Sequence, residues 1–245
     1  MQRVYLLAHP ERVLTQAEYA HYQSLLQRRL SGEPVAYILG QREFFGLSLK
    51  VTPTTLIPRP DTELLVELAV QRIPKQSPCK VLDLGTGSGA IALAIAHTCP
   101  QALVLACDAS ASALAVAQVN AQALGITNVG FAHSDWFAAL SAQRFDLIVS
   151  NPPYIAAGDR HLAQGDVRFE PASALASGAD GLDDIRQIIR QASSHLLPGG
   201  WLLLEHGYDQ AALVRGLLLE AKFEAVFSAC DLAGIERASG GRAAT

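Results

Sequence analysis

The chain has 245 residues, which suits one full α/β domain with a small appendage and a substantial core. Half of the residues are hydrophobic and 17% are charged, so a disordered chain is excluded. The net charge of −4 argues against a strongly basic nucleic-acid binder, and with no signal peptide and no apolar run of about 18 residues neither export nor membrane spanning is expected. Cys79, Cys99, Cys107 and Cys230 show no CxxC spacing and predict reduced, partly buried thiols in a cytoplasmic protein.

In chain order, residues 1–30 scatter Leu6, Leu7, Val13, Leu14, Leu25, Leu26 and Leu30 between polar residues. This predicts short helical pieces with too few apolar positions for their own core, leaning on the rest of the chain. "REFFGLSLKV" (42–51) alternates Phe45, Leu47, Leu49 and Val51, and "TTLIP" follows a Thr-Pro turn, so a β-hairpin is expected. Pro60 fits the first turn of a helix, with Asp61 and Glu63 placed well against its dipole. That helix should run to about Ile73 and bury Leu64, Leu65, Leu68 and Ala69, with "PKQSP" (74–78) as a linker. The boundaries expected are a helical segment at 1–41, hairpin and connecting helix at 42–77, and the main domain at 78–245.

From residue 80 the pattern is regular. Strands are predicted at 80–84, 102–108, 128–132, 145–150, 201–207 and 223–229. Helices fall at 89–99, 110–124, 182–197 (ended by "PGG") and 208–221. Such alternation implies a Rossmann-like parallel sheet with helices on both faces, and ligands in such sheets bind outside the carboxyl ends of the strands.

Three of those strand ends describe an adenosine pocket. "DLGTGSGA" (83–90) places Gly85, Gly87 and Gly89 after the first strand, where glycine permits a tight turn and close backbone approach. The spacing is GxGxG, neither the dinucleotide GxGxxG nor a Walker loop. Asp108 ends the next strand, where a carboxylate can accept two ribose hydroxyls. In "SDWF" (134–137), Asp135 can receive an adenine amino group and Trp136 can cover the purine face. An adenosine without a polyphosphate points to S-adenosyl-L-methionine, with S-adenosyl-L-homocysteine as product.

The fourth strand ends in "SNPPYI" (150–155), which should face the reactive end of that cofactor. A planar NH2 group has a delocalised, weak lone pair and must be aimed. The Asn151 side-chain oxygen can accept one N–H and the Pro152 carbonyl the other. The prolines fix the backbone, so both acceptors are preorganised, and Tyr154 can pack on the planar group. This clamp requires no histidine and no metal. Elsewhere, His206 is expected to be packed or hydrogen-bonded, Arg28, Arg29 and Arg42 read either as contacts for a partner's phosphates or acids or as ordinary surface residues, and 156–180 (with Asp166, Arg168 and Glu170) is a long connection that reads either as a wall of the cleft or as a solvated loop with a local ion pair.

"DLGTGSGAIALA", "SDWF", "SNPPYI", "GDVRFEP" and the upstream block "RRLSGEPVAYILGQREFFGLSLKVTPTTLIPRPDTELLVE" together resemble the HemK-type release factor glutamine methyltransferases, from about residue 23 to about 237. The glycine loop and Asn-Pro-Pro-Tyr are shared with DNA adenine and some RNA guanine methyltransferases; the upstream block is the specific part. The resemblance implies methylation of the glutamine side-chain nitrogen in the Gly-Gly-Gln loop of peptide chain release factors. It implies that Gly85, Thr86, Gly87, Ser88, Gly89, Asp108 and Trp136 bind the cofactor. It implies that Asn151, Pro152, Pro153 and Tyr154 bind the glutamine, with Asn151 meeting both ligands. A cytoplasmic, monomeric enzyme acting on release factors and not directly on nucleic acid is expected. The family's N-terminal helical domain is usually longer than residues 1–41, and "IERASGGRAAT" is poor in apolar residues, so the last edge strand is expected to be short or frayed. Two other readings remain. A nucleic-acid base N-methyltransferase is disfavoured by the acidic balance and by only 7% aromatics. A non-catalytic adenosine-binding protein would bind cofactor without turnover.

Overall fold

The computed structural model describes residues 3–75 and 77–244. Met1, Gln2, Gln76 and Thr245 lie outside the described residues, and with them the start of the N-terminal segment and the centre of the expected linker.

The N-terminal segment forms α1 (Arg3–Ala8), α2 (Gln16–Leu30) and α3 (Val35–Leu39). A capping box starts α2: Glu18 N–H donates to Thr15 Oγ1 at 3.2 Å, and Thr15 N–H donates to the Glu18 carboxylate at 2.9 Å. This segment leans on the rest of the chain, as expected, but chiefly through polar contacts and α3 and not through its leucines. No side chain of α2 is buried, and Val4, Leu7, Val13, Tyr19 and Tyr22 stay exposed. Its apolar positions form no continuous stripe. It is tied instead by polar contacts, Arg29 to Asp166 at 2.9 Å and Arg168 to the Ser31 carbonyl at 3.2 Å, and by α3. Tyr37 of α3 is buried with Val51 and Ile57.

A hairpin follows, β1 (Gln41–Phe44) against β2 (Leu47–Lys50). Its turn is Phe45-Gly46, both with positive φ (51° and 77°), the backbone a two-residue hairpin turn requires. The hairpin therefore lies within 41–50 and does not pair with "TTLIP", which forms no strand. Phe44 rather than Phe45 is buried, because the turn takes Phe45 out of the alternation. After a 3-10 turn at Pro60–Thr62, α4 (Glu63–Arg72) buries Leu65, Val66, Leu68 and Ala69, while Leu64 is half-buried.

The main sheet holds β3 (Cys79–Leu84), β4 (Ala102–Asp108), β5 (Val129–His133), β6 (Phe145–Ser150), β7 (Leu196–Glu205), β8 (Glu224–Cys230) and β9 (Glu236–Arg242). Its order is β5-β4-β3-β6-β7-β9-β8. The connecting helices are α5 (Ala90–Thr98), α6 (Ala111–Leu124), α7 (Asp183–His195) and α8 (Ala211–Glu220). Successive strand residues face opposite layers. Val81, Val104 and Leu147 pack with the hairpin, α4 and α5, whereas Leu82, Ile148 and Leu202 pack with α7 and α8.

The first five strands are parallel, and β9 runs antiparallel to both neighbours. Two expectations change here. The last strand is neither frayed nor an edge: β9 inserts between β7 and β8. Its small residues fit a crowded slot, since a Cβ on Gly240 would lie 2.6 Å from Leu203 Cδ2 and one on Gly241 2.8 Å from Phe223 Cβ. In addition, "PGG" lies within β7, inside the register shift that separates the Phe145–Leu196 pair from the Leu147–Trp201 pair. The sheet reverses direction of growth at β3, between β4 and β6, and such a switch point opens a crevice at the strands' carboxyl ends. Among the described residues no helix is long and apolar enough to cross a membrane.

Candidate active site

The glycine loop joins β3 to α5 with Gly85, Gly87 and Gly89 at φ of 72°, 56° and 86°, backbone that L side chains rarely adopt. The Gly85 and Thr86 amides both donate to the Cys107 carbonyl at 2.9 Å, so the loop hangs on the end of β4. Below it, Asp83 is fully buried and its Oδ2 accepts the Thr86 hydroxyl at 2.7 Å and the Ala92 amide at 3.1 Å. Asn120 of α6 ties the loop to the hairpin. Its Nδ2 donates to the Ser88 and Lys50 carbonyls, and its Oδ1 accepts Lys50 N–H at 2.7 Å.

Asp108 stands opposite. Its carboxylate accepts Gly87 N–H and Ser110 N–H, each at 2.8 Å. Each oxygen keeps a second lone pair for a further donor. Trp136 adopts a left-handed backbone (φ 46°), uncommon for a bulky residue. Its ring lies 3.5 Å from where a Gly85 Cβ would be, so glycine there makes room for the indole. The indole N–H donates to Asp184 at 3.2 Å.

These elements surround a cavity of about 640 Å³, within the ~300–1,000 Å³ typical of small-ligand sites. Gly85, Gly87, Asp108, Asp135, Trp136, Asn151 and Pro153 line it. Thr86 and Ser88 are buried behind the loop and Gly89 caps α5, so none of the three lines it. Pro152 is also buried away from it. Tyr154 departs from the expected packing on substrate. Its ring packs with the α7–α8 layer, and its hydroxyl donates to Glu205 Oε1 at 3.2 Å. His206 is buried and hydrogen-bonded to Ser239 and the Gly207 carbonyl.

The Asn151 amide donates through Nδ2 to Thr62 Oγ1 at 3.2 Å. No donor among the described residues reaches Asn151 Oδ1 or the Pro152 carbonyl. Beyond the tetrapeptide, Gln210 donates to the Tyr154 carbonyl at 3.0 Å and Ile155 bridges to Ala176. Two further segments line the cavity, Pro53–Leu56 and Pro171, Ser173 and Ala174. Glu170 ties them: its buried carboxylate pairs with Arg59 and accepts Ile57 N–H at 3.0 Å. The connection 156–180 thus supplies one wall. Thr62, Asn120, Asp184 and Glu205 were not singled out from sequence. Only Thr62, inside the quoted "LIPRPDTE" block, had any signal there.

Burial pushes two carboxyls up. Asp83 rises to about 7, opposed by the Thr86 hydroxyl and the Ala92 amide. Glu205 also rises to about 7 through burial, opposed by the Thr62 and Tyr154 hydroxyls. An acid whose pKa is higher folded than unfolded leaves stability intact below its unfolded value and removes it as pH rises toward the folded value. The loss from Glu205 therefore falls between its ordinary carboxylate range and about 7. Glu205→Gln should shrink the drop in melting temperature between about pH 5 and about pH 8 relative to wild type. An unchanged drop in thermal melts would contradict the buried-carboxylate assignment.

The fold and the loops at the strand ends define a methyltransferase. Residues 61–180 match the family described as methyltransferase small domain, and residues 1–40 match the PrmC N-terminal domain. A solved protein-(glutamine-N5) methyltransferase (release factor-specific) from Alicyclobacillus acidocaldarius superposes with a TM-score of 0.50 at 30% identity, covering 77% of this chain and 95% of that one. The release factor glutamine methyltransferase of Bordetella pertussis is 55% identical over 98% of this chain and 88% of its own length. That of Escherichia coli is 50% identical over 98% and 86%. The chain belongs to the release factor glutamine methyltransferase family.

Proposed function

We propose that this protein transfers a methyl group from S-adenosyl-L-methionine to the side-chain amide nitrogen of the glutamine in the Gly-Gly-Gln loop of peptide chain release factors. One observation carries the reading. Asn151, with its amide oxygen free, lines the same cavity as Gly85, Asp108 and Trp136.

The residues fit the cofactor. Gly85 and Gly87 let a ligand approach the backbone, Asp108 keeps lone pairs for ribose hydroxyls, and Asp135 and Trp136 border the same space. When bound, S-adenosyl-L-methionine supplies an activated methyl group on a sulfonium. The chain's own task is to present a weak nucleophile correctly. Asn151 Oδ1, on the cavity wall, accepts one amide N–H of the glutamine, which aims the NH2 group. A fixed acceptor costs no reorganisation during reaction. The segments 53–56 and 171–174 line the same cavity and border the space the glutamine would enter. The reading goes with a monomeric, cytoplasmic enzyme divided at 1–41, 42–77 and 78–245.

A Gly-Gly-Gln peptide and its Gly-Gly-Glu counterpart separate this reading from a less selective one. Label from the cofactor is expected in the first and absent from the second, which lacks the N–H pair. Equal labelling would contradict the clamp. Release-factor docking is assigned in part to the exposed apolar residues of α1 and α2, such as Leu7, Tyr19 and Tyr22. Removing residues 1–30, which spares the buried Tyr37, should spare cofactor affinity and reduce methylation of whole release factor more than of the peptide. Equal losses on both substrates would make the segment a stability element instead.

A further inference from the structure

We propose that Thr62, backed by Glu205, is a positioning residue for the acceptor clamp: its hydroxyl takes the N–H of Asn151 and so decides which end of the Asn151 amide faces the acceptor nitrogen. This rests on the reading that the clamp receives an amide NH2 group.

An asparagine amide has two ends of similar shape and opposite hydrogen-bonding character. The clamp works only with Oδ1 toward the acceptor, because an NH2 group facing an NH2 group makes no hydrogen bond. The Asn-Pro-Pro-Tyr backbone fixes where the Asn151 side chain starts but not how its amide is turned. Thr62 is the residue that touches it, with Oγ1 3.2 Å from Nδ2. A threonine hydroxyl alone can accept or donate, so it selects an orientation only if its single proton is claimed elsewhere.

Glu205 is the group that claims it. Both residues are buried, at 4% exposure for Thr62 and 2% for Glu205. The Thr62 hydroxyl favours the ionised form of Glu205 against the burial that raises this carboxyl to about 7, so the form that only accepts is the one present above about pH 7, where the test is run. Glu205 Oε1 takes the Tyr154 hydroxyl, while Oε2 is buried without a donor among the described residues, which leaves a place for the Thr62 proton. With that proton turned to Glu205, the Thr62 lone pairs face Asn151, and only Nδ2 can answer. Asn151 and Tyr154, the two ends of the tetrapeptide, are thus referred to one buried carboxylate. The 3-10 turn before α4 supplies the link, which gives Thr62 in "LIPRPDTE" a role at the reacting end of the cavity.

The test uses the full-length enzyme, labelled cofactor and a Gly-Gly-Gln peptide. Thr62→Val keeps the shape and removes the hydroxyl. It should lower kcat about tenfold, the scale of one lost hydrogen bond, with cofactor affinity unchanged by calorimetry and activity largely restored in Thr62→Ser. In an Asn151→Ala background the same change should cost nothing more, because Thr62 acts through Asn151. Glu205→Gln keeps one acceptor oxygen for Tyr154 and puts a donor NH2 where Oε2 stood, toward Thr62. It should lower turnover while raising melting temperature near neutral pH, a split that a merely structural role would not produce. Wild-type turnover in Thr62→Val, or an equal further loss in the Asn151→Ala background, would overturn the inference and leave the glutamine reading standing. A wild-type enzyme that labels no glutamine would overturn both.

Discussion

Asn151→Ala is expected to cut turnover by about 10²–10³, the loss seen when one preorganised polar contact is removed from an active site. The side chain lines the cavity, its Nδ2 is committed to Thr62, and its Oδ1 is left for the acceptor. Cofactor affinity should change little, because the glycine loop and Asp108 are tied to other partners. The loss should therefore appear in kcat at saturating cofactor. Asn151→Asp is the finer variant. It keeps an acceptor oxygen and should retain more activity than alanine. Single-turnover kinetics showing wild-type rates for Asn151→Ala would reduce Asn-Pro-Pro-Tyr to a rigid turn.

Asp108→Ala is expected to weaken cofactor binding about tenfold to a hundredfold, from about 1.5–3 kcal/mol of charge-assisted hydrogen bonding. Two causes act together. The carboxylate loses its ribose partners, and the Gly87 and Ser110 amides lose the acceptor that holds both loops. Asp108→Asn keeps one acceptor oxygen and should fall between alanine and wild type. Isothermal titration with S-adenosyl-L-homocysteine checks this, and unchanged affinity would remove Asp108 from the ribose site.

Much of this arrangement was legible because local chemistry dictates it. Short, nearly continuous apolar runs at 80–84 and 145–150 set two strands buried on both faces, and glycines at 85, 87 and 89 mark backbone that side chains rarely adopt. Since strand ends in such a sheet converge, Asp108, Trp136 and Asn151 were brought together from separate segments. What stayed hidden depends on long-range packing. Tyr154 looks like a substrate platform until β7 places Glu205 beneath its hydroxyl. Asn120 is one polar residue in an apolar helix, and its bonds to Lys50 and Ser88 exist only once hairpin and sheet are docked. β9 misled for the same reason: glycine and serine lower strand propensity in isolation, yet here they are the residues small enough for the slot beside Leu203 and Phe223. The N-terminal helices were the least legible part, since Leu6, Leu7 and Leu30 stay exposed while Leu25 and Leu26 are only half-buried.

The central claim is that the cavity presents a release factor glutamine to a methyl donor. Labelled S-adenosyl-L-methionine offered in parallel with whole release factor, DNA and RNA, followed by peptide mapping, tests it directly. Label confined to release factor, on the Gly-Gly-Gln glutamine and absent from the Asn151→Ala reaction, is the predicted result; label on nucleic acid, or on no substrate despite bound cofactor, would contradict it.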